Sequence, residues 1–172
     1  KEDGTVQAWG HHQNGGKNVP TDLINVKTIY SNDVAFAALK EDGTVQAWGN
    51  PLYGGSGVPP ELKDVQAIFS TNYAFAALCR DGSVEVWGNE RNGGGYDSGS
   101  DYSGKPADLS NVITIYSNRQ AFAALKGDGT VEVWGLCGTG GCETSDSDTY
   151  YTGLPANMAN VKDIYSTHQA FA

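Results

Sequence analysis

Apolar and polar positions alternate in short bursts along this chain, never at the spacing of a helix. Val26-Lys27-Thr28-Ile29-Tyr30-Ser31 mixes the two classes as a half-buried strand does. Ala35-Phe36-Ala37-Ala38-Leu39 is an unbroken apolar run, short enough for a strand covered on both faces. Lys40-Glu41-Asp42-Gly43 then makes a tight turn. Asp-Gly between two strand-like runs is a strong hairpin signal, because glycine accepts the positive φ that closes the loop. Thr44-Val45-Gln46-Ala47-Trp48 returns as a third strand, and Gly49 ends it. After a Gly-rich loop, Val58-Pro59-Pro60-Glu61-Leu62 contains prolines that exclude a central strand, so it reads as a crossing to the next sheet. The chain is expected to be nearly all β.

The pattern is written four times. Asp3-Gly4-Thr5-Val6-Gln7-Ala8-Trp9-Gly10 returns at 42–49, 81–88 and 128–135. Trp9, Trp48 and Trp87 are 39 residues apart, and Trp134 follows after 47, within the range of propeller blades and other repeat arrays. The units run 1–39, 40–78, 79–125 and 126–172. A unit of this kind cannot bury its own apolar face, so the fold must come from stacking and the function from what varies between units. The Ala-rich strand suits the place where neighbouring sheets crowd, and Trp with Tyr30, Phe69, Tyr116 and Tyr165 supplies bulk where they diverge. The first and last units cut through the same hairpin, which leads us to expect a section of a longer repeat protein.

The strand Val-x-x-Ile-x-Ser, followed by Ala-x-Ala-Ala-Leu and Asp-Gly-x-Val-x-x-Trp-Gly, resembles the repeat of the regulator of chromosome condensation (RCC1) superfamily. In spacing, and in the connections Gly54-Gly55-Ser56-Gly57-Val58-Pro59 and Gly15-Gly16-Lys17-Asn18-Val19-Pro20, it is most similar to the bacterial β-lactamase inhibitor proteins of that superfamily. The resemblance spans essentially the whole chain and implies a β-propeller-type array of four blades, each of three to four short antiparallel strands, forming part of a larger ring or array. The superfamily's Gly-Gln-Leu-Gly tract after Trp-Gly is absent here; the chain has Asn14-Gly15-Gly16, Tyr53-Gly54-Gly55 and Asn92-Gly93-Gly94 instead.

The formal net charge is −9, with no cluster of Lys or Arg. Phosphate-backbone binding needs a basic footprint, so nucleic acid is not an expected partner. No apolar run approaches the roughly 20 residues of a membrane span, and no membrane insertion is expected. Of the three cysteines, Cys79 stands where other units carry Lys. Cys137 and Cys142 bracket a Gly-rich loop, either as two unrelated thiols or as a local disulfide. The second alternative implies an oxidising compartment, in keeping with a secreted or cell-surface protein.

Equivalent loops of stacked units lie on one face, and binding residues concentrate on such loops. The loops after the Val-x-x-Ile-x-Ser strand vary most in chemistry. They give Asp33, Asn72 with Tyr73, Arg119 with Gln120, and His168 with Gln169 as candidate partner-binding residues, with Tyr and Arg as anchors. The loops after Trp-Gly, with their insertions, offer a second lobe of Tyr53, Arg91, Tyr96, Tyr102, Tyr150 and Tyr151. Glu143, Asp146 and Asp148 are a weak calcium candidate that matches no EF-hand pattern. No nucleophile elbow or phosphate-cradling helix start is present, so neither an enzyme nor a cofactor is expected. The expected function is a non-enzymatic binding or assembly module whose partner is another protein or further copies of the repeat. The alternative is a structural building block of an extracellular filament or large complex.

Overall fold

The computed structural model describes residues 1, 3–96, 102–107, 109–142, 153–156 and 158–172. Three antiparallel sheets form as the hydropathy pattern predicts. The first is β1 (Val26–Ser31), β2 (Ala35–Lys40) and β3 (Val45–Gly49), in that order. The second is β4 (Val65–Ser70), β5 (Ala74–Cys79) and β6 (Val84–Gly88). In the third, a two-residue strand β7 (Tyr102–Ser103) lies on the free edge of β10 (Val131–Leu136). β10 pairs with β9 (Ala121–Lys126), and β9 with β8 (Val112–Ser117). The Ala-rich strand is central in each sheet, and in β5 every residue is buried.

The first strand of each sheet carries a bulge. Val65 faces Cys79 and Ala67 faces Leu78, so two residues of β4 oppose one step of β5. Strict alternation would put Val65 and Ile68 on opposite faces; the extra residue returns both to one face, and both are buried. This explains the Val-x-x-Ile spacing, which β8 repeats with Val112 and Ile115.

Sheets pack face to face through these residues. Val65, Ile68, Phe75 and Trp87 of the second sheet join Ala35, Ala37 and Leu39 of the first in one buried cluster, with Tyr30 against it. Val112, Ile115, Phe122 and Trp134 meet Ala74, Ala76, Leu78, Val84 and Val86 in the next, with Phe69 against it. The Asp-Gly turns tie the same junctions. The Gly43 carbonyl accepts from Val65 N–H at 3.0 Å and the Gly82 carbonyl from Val112 N–H at 3.0 Å. The Gly129 carbonyl takes the Val161 N–H, also at 3.0 Å.

Each sheet takes its first two strands from the close of one sequence unit and its third from the opening of the next. Residues 5–9, which match the return strand of the other units in sequence, join no sheet among the described residues; Val6 packs on the cluster of Leu23, Ala38 and Trp48. Residues 161–172 hold the opposite portion, with one bridge between Ser166 and Phe171. Ile164 and Phe171 pack on the third sheet's Ala123, Leu125 and Val133, and the Tyr116 hydroxyl donates to Asp163 at 2.5 Å.

Candidate protein-binding face

The loops between first and second strands are built by their first residue. The Asn32 carboxamide oxygen accepts from Val34 N–H (2.9 Å) and Ala35 N–H (2.8 Å), and its nitrogen donates to the Tyr53 carbonyl (2.7 Å). Asn118 repeats the turn with Gln120 and Ala121 and reaches the Thr139 carbonyl at 2.6 Å. At the same place Thr71 donates its hydroxyl to the Asn92 carbonyl at 3.0 Å. These side chains are turned inward and spent on the loop. That leaves the second residue to face outward.

The second residues are Asp33, Asn72, Arg119 and His168, and backbone hydrogen bonds connect them in a row across all four units. Asp33 N–H donates to the Asn72 carbonyl (3.2 Å), Asn72 N–H to that of Arg119 (2.9 Å), and Arg119 N–H to that of His168 (3.3 Å). The Asn72 amide also donates to the Asp33 carboxylate at 2.8 Å. Beside the row, Ser70 and Ser166 donate their hydroxyls to the carbonyls of Ser31 and Ser117, each at 2.9 Å. The result is one open polar cavity of about 540 Å³ whose lining includes Asp33, Asn72, Arg119 and His168. Its charge is graded, with a carboxylate at one end and a guanidinium and an imidazole toward the other.

The third residues of these loops point elsewhere. Tyr73 leaves the row and packs on Tyr53, ring centroids 4.7 Å apart, so a residue from each of the two loop sets forms one aromatic pair. Gln120 gives its carbonyl to Leu136 N–H. Gln169 lines a separate cavity near Phe171. The repeated serines were legible in the sequence as an invariant strand end, yet nothing in the pattern assigned them to the cavity wall.

The loops after Trp-Gly each open with a short 3-10 turn: His12–Asn14, Pro51–Tyr53, Glu90–Asn92 and Cys137–Thr139. Tyr96 is tied down there: its hydroxyl donates to Glu85, and the Lys105 ammonium lies 5.4 Å from its ring centroid. Burial first, and the Glu85 carboxylate second, push its phenol up to about 12. Tyr102 is part of β7, paired with Leu136. Arg91 lies in the third of these turns. Cys137 and Cys142 are joined by a disulfide with Cα atoms 4.7 Å apart, and Cys79 is a buried free thiol. Tyr150 and Tyr151, and the calcium candidate Glu143, Asp146 and Asp148, lie outside the described residues. Among the described residues no group of three or more His, Cys, Asp or Glu side chains is placed to hold a metal.

No family model matches the chain, and no curated protein does. Solved structures do. Yeast RCC1 (Prp20), in a complex with Kap60, superposes with a TM-score of 0.56 at 21% identity over 75% of this chain and 34% of its own. A second structure of Prp20p from Saccharomyces cerevisiae gives 0.56 at 22% identity, over 82% and 38%. Human WBSCR16 gives 0.51 at 21%, over 76% and 40%. The fold is that of RCC1-like propeller repeats. The chain spans less than half the length of these structures.

Proposed function

We propose that this chain is a non-enzymatic protein-binding module that recognises its partner through the row Asp33, Asn72, Arg119 and His168. The observation that carries the reading is the backbone ladder joining these four positions. It fixes four chemically different side chains on one preformed face, and such pre-organisation reduces the ordering cost of binding. An open polar cavity suits a protein surface better than a small apolar ligand, which calls for an enclosed, mostly apolar site. Two comparisons support the reading. Prp20, whose structure this chain resembles, binds Kap60, Gsp1p and histones. The repeat spacing also resembles that of the β-lactamase inhibitor proteins, whose name describes action on another protein.

The graded charge gives the face a direction. A partner segment with a basic group at the Asp33 end and an acidic group at the Arg119 end complements it, and like-charge placement disfavours the reverse orientation. The test is a titration of a partner recovered on the immobilised chain against Asp33→Ala, Arg119→Ala and His168→Ala. At least one is expected to weaken binding by about 1 kcal/mol or more, roughly fivefold in Kd. Three unchanged affinities would remove this face from the account.

A further inference from the structure

Among the described residues, no apolar side chain lines the cavity that holds the row. Each lining residue carries a hydroxyl, a carboxamide, a carboxylate, a guanidinium or an imidazole. The centre of a protein–protein contact ordinarily has the reverse character, with aromatic and aliphatic anchors in desolvated pockets and charge kept to the rim. At about 540 Å³ the cavity falls within the size range of ligand sites, yet it lacks the apolar lining that most organic ligands call for. What it offers is a dense set of hydrogen-bond donors and acceptors on a fixed backbone.

Several of these groups have capacity left over. The Asp33 carboxylate takes the Asn72 amide through Oδ2 at 2.8 Å, which leaves Asp33 Oδ1 and Asn72 Oδ1 as neighbouring acceptors. Ser166 donates to the Ser117 carbonyl, but the Ser117 hydroxyl itself has no partner among the described residues. Neither has the Arg119 guanidinium, although the chain carries 20 acidic residues against 11 basic ones. A vicinal pair of sugar hydroxyls donates to two adjacent acceptors and accepts in turn from amide and hydroxyl donors. A lysine or arginine side chain could answer Asp33, but it has no acceptor to offer the second Asn72 amide proton. A carboxylate takes the planar fork of a guanidinium in two parallel bonds. One end of the row therefore matches hydroxyls and the other a carboxylate. The Cys137–Cys142 disulfide adds an independent support, since such bonds persist in the oxidising compartments where protein surfaces carry carbohydrate.

We propose that the row binds a carbohydrate chain carried by its protein partner. A neutral sugar sits by its hydroxyls on Asp33 and Asn72. A terminal sugar acid, sialic or uronic, places its carboxylate on Arg119 beside His168, with the Ser117 hydroxyl as a further donor. This rests on the reading of the face as a protein-binding site and says what the face grips. A preformed row suits the task, because a sugar buries little apolar area and leaves little free energy to spend on ordering the site.

The test applies the chain to an array of oligosaccharides that end in sialic or uronic acid, each beside the same oligosaccharide lacking the terminal acid. At least one acid-terminated member is expected to bind, with its neutral counterpart about tenfold weaker when the pair is titrated in solution. Arg119→Ala is expected to abolish that difference, and Arg119→Lys, a point charge without the fork, to restore part of it. Asp33→Ala is expected to weaken both members of the pair alike. An array with no bound member overturns the proposal. So does an Arg119→Ala variant that keeps the preference for the acid while circular dichroism shows it folded. A second arm uses a protein partner recovered on the immobilised chain, before and after glycosidase treatment. Removal of its sugars is expected to abolish binding. An affinity that survives the treatment overturns the carbohydrate reading, and if Arg119→Ala still weakens that partner, the protein-binding face stands without it. Hyaluronan, a free polysaccharide containing uronic acid, is the third arm: tighter binding to it than to the glycosylated partner overturns the assignment of the sugar to a protein.

Discussion

One methyl group at Gly54 is enough to probe the lock between units. Its backbone sits at φ +95°, and a Cβ there would lie 2.6 Å from Cδ2 of the fully buried Phe75 ring. Gly54→Ala combines left-handed backbone strain with overpacking and is expected to lower the unfolding free energy by about 2–4 kcal/mol in urea denaturation. Gly57, at φ +78° with open space around it, isolates the backbone part, and its alanine variant is expected to cost only about 1–2 kcal/mol. The turn aspartates make a different prediction. The Thr44 hydroxyl and amide both donate to Asp42 and hold its carboxyl below the ordinary aspartate value, and Asp3, Asp81 and Asp128 are held in the same way. A folded-state value below the unfolded one stabilises above the unfolded value and is lost as pH falls through the folded one. Stability is therefore expected to decline below about pH 4, and Asp42→Asn, which keeps an acceptor but cannot titrate, to reduce the slope of that decline in acid denaturation. At this scale the sequence was only partly legible. Asp33, Asn72, Arg119 and His168 line one cavity, but Tyr73, one residue along, points away to Tyr53, because neighbouring side chains on an extended loop diverge.

At the scale of elements, hairpins were the easiest to read. Asp-Gly turns, Ala-rich runs and Trp-Gly ends each name their own local geometry, and the three sheets follow them closely. The bulges were not read, because Val-x-x-Ile looks like an irregular strand until the partner register shows two residues opposing one. The short strand β7 was also missed: two residues of an insertion carry too little pattern to mark pairing with β10. The 3-10 loops lead to a prediction about the disulfide. The bond from Gly141 N–H to the Leu136 carbonyl (3.0 Å) recurs as Gly16 to His11 (2.9 Å), Gly55 to Asn50 (2.8 Å) and Gly94 to Asn89 (2.9 Å), in loops that have no cysteine. The backbone therefore takes this shape without a cross-link. Reduction of Cys137–Cys142 is expected to preserve the β-sheet circular dichroism and to cost at most about 2 kcal/mol, read as a modest fall in Tm. Loss of the β signal on adding reductant would show that the loop depends on the bond.

For the whole molecule, the four-fold repetition carried most of the fold. Each junction between sheets is a copy of the last, and stability in such arrays is set by neighbour-to-neighbour contacts rather than by a single centre. The two ends of the chain were harder to read, because covering a face depends on what stands next to it. Val-x-x-Ile predicts a buried isoleucine, and Ile29 is 41% exposed. The acidic charge of −9 did not predict the graded face, since a net total says nothing of how one carboxylate, one guanidinium and one imidazole are ordered along a row.

The offset between sequence unit and sheet has a genetic corollary. A tandem duplication or deletion of one whole unit joins the strand pair of one unit to the return strand of another unit with the same register, so no interior sheet is broken. Copy number in a gene of this design is free to drift by unequal crossing-over while every internal junction remains folded.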